Sequence, residues 1–154
     1  MIKITALLVV ALSALSFSSS PPVDLTLTVL HTNDVHSRVH PIDKYSNPCD
    51  EEKNKAGKCF GGVARRFTKI QELRTKNKNI LLLDAGDQFQ GSLFFTHYKG
   101  KESSHFMNLM KYDAMVIGNH EFDLGVKPLA SFIKKTKFDV ISANINVKNS
   151  KELK

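Results

Sequence analysis

A chain of 154 residues with a net charge of +7 has room for one ordinary domain and a real core. The positive balance would draw anions such as a nucleotide or a polyphosphate. The lysines, however, are scattered, with no run of five and no interleaved aromatics, which excludes the patterns of nucleic-acid binders.

Lys3 precedes the apolar stretch Ile4–Leu15, and small residues at Ser16, Ser18, Ser19 and Ser20 lead into Pro21-Pro22. A charged, then apolar, then small-residue order predicts a secretory signal over residues 1–20, with the mature chain starting near Pro21 and working outside the cytosol. The apolar part is too short for a hydrocarbon core of about 30 Å, and nothing after it approaches about 20 consecutive apolar residues. An oxidising compartment makes Cys49 and Cys59 a disulfide pair rather than a metal or redox pair, with two free thiols as the alternative. The charged segment between them reads as a solvated loop, and a loop so short lets a crosslink contribute at most about 3 kcal/mol.

Leu25–Leu30 alternates apolar residues with Thr and continues into His31, as a strand does. Val63, Phe67, Ile70 and Leu73 recur at helical spacing, predicting a helix over Val63–Arg74 with one apolar stripe. Ile80–Leu83 is short and wholly apolar, the pattern of a strand covered on both faces. A second helix is predicted over Glu102–Tyr112, a strand over Ala114–Ile117, a helix over Lys127–Lys137 with Pro128 near its first turn, and a strand over Phe138–Ala143. The alternation predicts an α/β fold with a largely parallel sheet and crossover helices.

Three of those strands end in side chains able to hold metal. Leu27–Leu30 runs into His31-Thr32-Asn33-Asp34-Val35-His36, Ile80–Leu83 into Asp84-Ala85-Gly86-Asp87, and Ala114–Ile117 into Gly118-Asn119-His120-Glu121-Phe122-Asp123. Strand ends are where α/β enzymes keep their chemistry. Asp34 and His36 can converge on one ion, the carboxylate of Asp87 can bridge two, and Asn119 offers a neutral oxygen that leaves the metals electrophilic. Mixed nitrogen and oxygen donors suit Zn²⁺, Mn²⁺ or Fe rather than Ca²⁺. A pair of such ions about 3.5–4 Å apart suits phosphate-ester hydrolysis. His120, beside a ligand, can donate to a phosphoryl or leaving-group oxygen, and Asp123, three residues on, can fix its tautomer. Asp84 reads as a turn residue or a support for a ligand. His31, His40, His97 and His105 lack a partner at useful spacing. Taken singly, Asp34 and Asp87 would read as turn or cap residues; their occurrence at successive strand ends makes the set specific.

The segments Thr32–Arg38, Gly61–Arg65, Leu81–Gly91 and Gly118–Asp123 resemble the N-terminal half of the 5'-nucleotidase/apyrase family. Tyr98-Lys99-Gly100, His105–Asn108 and Ser142–Ile145 resemble the animal ecto-5'-nucleotidases and salivary apyrases in particular. The resemblance implies a partial calcineurin-like metallophosphoesterase domain over residues 21–154, an α/β sandwich of two packed sheets, with the C-terminal substrate domain of complete members absent. It implies Asp34 and His36 at a first metal, Asp87 as the bridge, Asn119 at a second metal, Asn119 and His120 in substrate binding, His120 and Asp123 as the catalytic pair, and a Cys49–Cys59 disulfide. It implies two divalent ions, zinc ahead of manganese, cobalt or magnesium, and a nucleotide substrate (AMP, ADP or ATP) cleaved to release phosphate. A membrane would enter only through a lipid anchor encoded beyond Lys154. Complete members take further histidine ligands from later sequence. The chain is therefore expected to be a fragment of a secreted nucleotidase, binding metal weakly and turning over little by itself. The competing expectation is a short, non-catalytic secreted protein that keeps the fold to bind nucleotides or anions.

Overall fold

The computed structural model describes residues 24–153. The expected signal segment, residues 1–20, lies outside them. Four parallel strands form the sheet: β1 (Thr28–Thr32), β2 (Ile80–Asp84), β3 (Ala114–Val116) and β4 (Asp139–Ile141), in spatial order β1-β2-β3-β4. Between them lie α1 (Glu51–Lys55), α2 (Val63–Lys76), α3 (Leu93–Tyr98), α4 (Lys101–Met110), a 3₁₀ turn (His120–Phe122) and α5 (Val126–Ile133).

The strand order never reverses, so crossovers of one hand all fall on the same face of the sheet. Burial agrees. Leu82 and Met115 face the helices and are 1% exposed, joined by Leu30 and Val140 at the edge of the same core. On the other face Val29, Val116 and Ile141 remain exposed, and Leu81 and Leu83 are only half-buried. The expectation that β2 is covered on both faces is therefore corrected among the described residues. A short apolar run records that a strand is apolar, while strand order decides which face the crossover helices take.

Element bounds differ in ways with local causes. β1 begins at Thr28 rather than Leu25, where β2 begins to pair with it at Ile80. α4 stops at Met110 because Lys111 turns left-handed (φ 55°), and α5 stops at Ile133, where Lys135 and Thr136 fold back onto the Phe132 carbonyl. Of the predicted stripe on α2, Ile70 is buried while Phe67 is 40% exposed. The guanidinium of Arg74 donates to the carbonyls of Met110 and Lys111 (2.6 and 2.7 Å), pinning α2 to the end of α4.

The Cys49–Cys59 disulfide is formed. Its loop is solvated as expected but contains α1, whose first turn is capped by Asp50, the carboxylate accepting from the Lys53 N–H. Lys53 also pairs with buried Asp43 at 2.9 Å, which holds that carboxyl down at about 2.

The core centres on Phe89, Phe95, Met107, Met110, Leu129 and Phe132. Phe132 is 1% exposed and meets the ring of Phe89 edge-on at 5.3 Å. Phe132→Ala should cost about 3–5 kcal/mol of stability, read from the shift of a urea unfolding curve. A loss below about 1 kcal/mol would show that the ring is not a core contact.

Candidate metal and catalytic site

Parallel pairing brings the C-terminal ends of β1, β2 and β3 to one edge of the sheet, and their loops continue the alignment. The amide of Asp34 donates to the Gly86 carbonyl (3.0 Å), His36 to that of Asp87 (3.0 Å) and Ser37 to that of Gln88 (2.8 Å). The loop after β1 is thus zipped along the loop after β2. Four residues there, Asp34 (φ 51°), His36 (φ 50°), Ser37 (φ 49°) and Asp87 (φ 58°), hold left-handed backbone that non-glycine residues seldom adopt. Such strain collects at functional sites.

The loops after β2 and β3 meet through glycine. A Cβ on Gly86 would stand 2.6 Å from the Gly118 nitrogen, and one on Gly118 would collide with the Asp87 carboxylate. Only two bare backbones let the second and third strand ends approach so closely.

His36, Asp87 and His120 each present one donor atom within 4.8 Å of the others. The Nδ1 of His36 donates to the carbonyl of Phe89 at 2.9 Å, which leaves Nε2 as the available lone pair. Asp34 faces the same place, with Oδ1 3.8 Å from that Nε2. Asp87 Oδ1 accepts the backbone N–H of His120 at 3.0 Å, and the two imidazole rings lie edge-on at 5.1 Å. Asn119 is exposed at the head of the 3₁₀ turn. The donor set, imidazole nitrogen with carboxylate oxygen, fits a divalent ion of the Zn²⁺ or Mn²⁺ kind.

His120 holds Asp123 at 2.7 Å through Nδ1, which directs Nε2 outward. The hydrogen bond to Asp123 pushes the imidazole's pKa up, and the same bond holds the Asp123 carboxyl below the usual range. His120, expected from the sequence to act in acid catalysis, also lies within donor reach of His36 and Asp87. A carboxylate behind an imidazole serves a metal ligand and a proton donor equally well.

Asp84 lies beneath this edge, 3% exposed, accepting from Thr32 Oγ1 (2.5 Å), Gln88 Nε2 (2.7 Å) and the Gly86 amide (2.9 Å). Burial outweighs those bonds and pushes the carboxyl from 3.8 up to about 6. The folded chain therefore holds this proton more tightly than the unfolded chain. Asp84 adds stability as pH falls from about 6 toward 3.8, and that contribution is lost as pH rises through about 6. A ¹³C titration of the metal-free chain should place the Asp84 carboxyl midpoint near 6; an ordinary midpoint near 3.8 would contradict the burial argument.

Residue-level reasoning assigned Glu121 no role, yet it is fully buried beneath the same turn. The only signal in the sequence was its place between His120 and Asp123.

A family model for calcineurin-like phosphoesterases matches residues 27–152. Human 5'-nucleotidase is 54% identical over 123 residues, 79% of this chain and 21% of that protein. Snake venom 5'-nucleotidase from Naja atra is 52% identical over 123 residues, 79% of this chain and 22% of that protein. The crystal structure of a 5'-nucleotidase precursor from Thermus thermophilus superposes with a TM-score of 0.73 at 42% identity, covering 83% of this chain and 24% of that one. The chain thus spans between a fifth and a quarter of the length of the relatives it matches. With the family model running from β1 to past β4 and the donors gathered at the three strand ends, the chain belongs to the calcineurin-like phosphoesterase family.

Proposed function

We propose that this chain carries metal-binding and catalytic residues of a secreted, divalent-metal-dependent hydrolase that releases phosphate from extracellular nucleotides. The observation that carries the proposal is the convergence of His36, Asp87 and His120 donors within 4.8 Å at three parallel strand ends. The 5'-nucleotidase names of its relatives support the nucleotide, and the venom relative supports an extracellular setting. In the described residues no helix is long and apolar enough to cross a membrane. The proposal includes residues 1–20 as a signal and residues 21–154 as the N-terminal part of the phosphoesterase domain.

Asp34, His36, Asp87 and Asn119 would hold two divalent ions, zinc foremost, with Asp87 shared. Such ions supply Lewis-acid polarisation of a phosphoryl oxygen and acidify water from a pKa of 15.7 toward about 7. The chain's own part is positioning and proton transfer. His120, protonated on both ring nitrogens, would give its Nε2 proton to the leaving-group oxygen as a water oxygen bonds to phosphorus and the P–O bond to the leaving group breaks, while Asp123 accepts from Nδ1–H and stabilises the charged ring. Asn119, neutral and exposed, can orient a phosphoryl oxygen without repelling it.

The test, run on the complete protein of which these residues are proposed to be the N-terminal part, is phosphate release with added Zn²⁺ or Mn²⁺ from AMP, ADP and ATP, beside a sugar nucleotide and a cyclic nucleotide. Release from the first three supports the proposal. Release confined to the last two would change the substrate class, and stoichiometric nucleotide binding without phosphate would make the protein a scavenger.

A further inference from the structure

Glu121 has no exposed surface, and its carboxylate spends both oxygens on backbone amides. Oε2 accepts from Asp87 (2.9 Å) and Gly118 (2.7 Å); Oε1 accepts from Gln88 (2.7 Å) and Phe89 (3.2 Å). A buried carboxylate is costly unless its charge is met by hydrogen bonds or a partner. Here four N–H groups from two different loops meet it.

Two of those amides, Asp87 and Phe89, bear directly on a donor, and a third, Gly118, ties the loops together. Oε2 joins the turn after β2 to the turn after β3 and holds the left-handed Asp87 backbone in place. Phe89, gripped by Oε1 at its N–H, offers from its following peptide the carbonyl that orients the His36 ring. The link closes from the other side, because Asp87 Oδ1 accepts the amide of His120, next to Glu121 in the chain. One carboxylate thus reaches the settings of His36, Asp87 and His120.

We infer that Glu121 is a positioning residue, a four-amide clamp that assembles the three donors into their geometry before any ion arrives. The inference rests on the metal-site reading above for its consequence, and on the hydrogen-bond pattern alone for the clamp. Glu121→Gln is the informative change, since the amide end would turn N–H groups toward amides that themselves donate. Zn²⁺ affinity, measured by calorimetry, should fall by about 10- to 100-fold, as it does when the partners of metal ligands are lost. Met110→Ala serves as the control, lowering overall stability from the core while keeping Zn²⁺ affinity within about two-fold of the unaltered chain.

A second measurement needs no variant. In the metal-free chain the amides of Asp87, Gln88, Phe89 and Gly118 should be protected from hydrogen exchange as one group, and adding Zn²⁺ should change that protection little. Wild-type Zn²⁺ affinity in a folded Glu121→Gln chain would overturn the inference. So would four amides that exchange freely until Zn²⁺ is added, whether or not the variant folds. A chain that binds no Zn²⁺ yet protects the four amides would overturn the metal reading and uphold the clamp.

Discussion

Asp87→Asn is expected to weaken Zn²⁺ binding by more than about 100-fold, because even the partners that merely orient metal ligands are worth about 10- to 100-fold. The substitution is isosteric, so the fold should survive. Asparagine keeps an oxygen for the His120 amide that Asp87 Oδ1 accepts at 3.0 Å, and its backbone N–H still reaches Glu121. What it loses is the charge and the second acceptor oxygen, which any shared ligand must supply. Calorimetric titration with Zn²⁺ and a phosphate-release assay should fall together. Near-normal metal binding with near-normal turnover would remove Asp87 from the site.

His120→Ala separates two roles that the geometry allows. As the proton donor, its loss should lower turnover by about 10²- to 10⁴-fold while Zn²⁺ binding stays close to that of the unaltered chain. The 2.7 Å bond that the Nδ1–H donates to Asp123 stabilises a charged ring and would equally orient a metal ligand, so it does not choose between the roles. His120 also lies in one donor group with His36 and Asp87. Loss of bound metal in the variant would therefore make it a ligand and move the acid's role elsewhere. Measuring metal content and turnover on the same sample distinguishes the two.

Much of the fold was legible because it rests on local pattern. The apolar runs at Ile80–Leu83 and Ala114–Ile117 are strands, the Val63–Leu73 spacing is a helix, and their alternation requires a parallel sheet with crossovers. Short elements were not legible. α1 is five charged or polar residues with no apolar period, stabilised by the Asp50 cap and by its own Lys–Glu pair rather than by a buried face. α3 spans only Leu93–Tyr98, less than two turns, and its existence depends on Phe95 finding the core. The resemblance of the strand-end motifs to nucleotidases named the family correctly, and the comparisons agree.

For the site, residue type and spacing alone named the candidates: side chains of the kind that bind a divalent ion or pass a proton, following three apolar runs. Side-chain type is a local property, so spacing reveals it. Tertiary structure alone decided the rest. It fixed that strand order never reverses and, among the described residues, leaves one sheet face open, that two glycines let the second and third loops touch, and that His120 comes within donor reach of His36 and Asp87. It alone also gave Glu121 its place, since a carboxylate bonded to four backbone amides leaves no trace in residue type; those amides converge only when strands distant in sequence lie side by side.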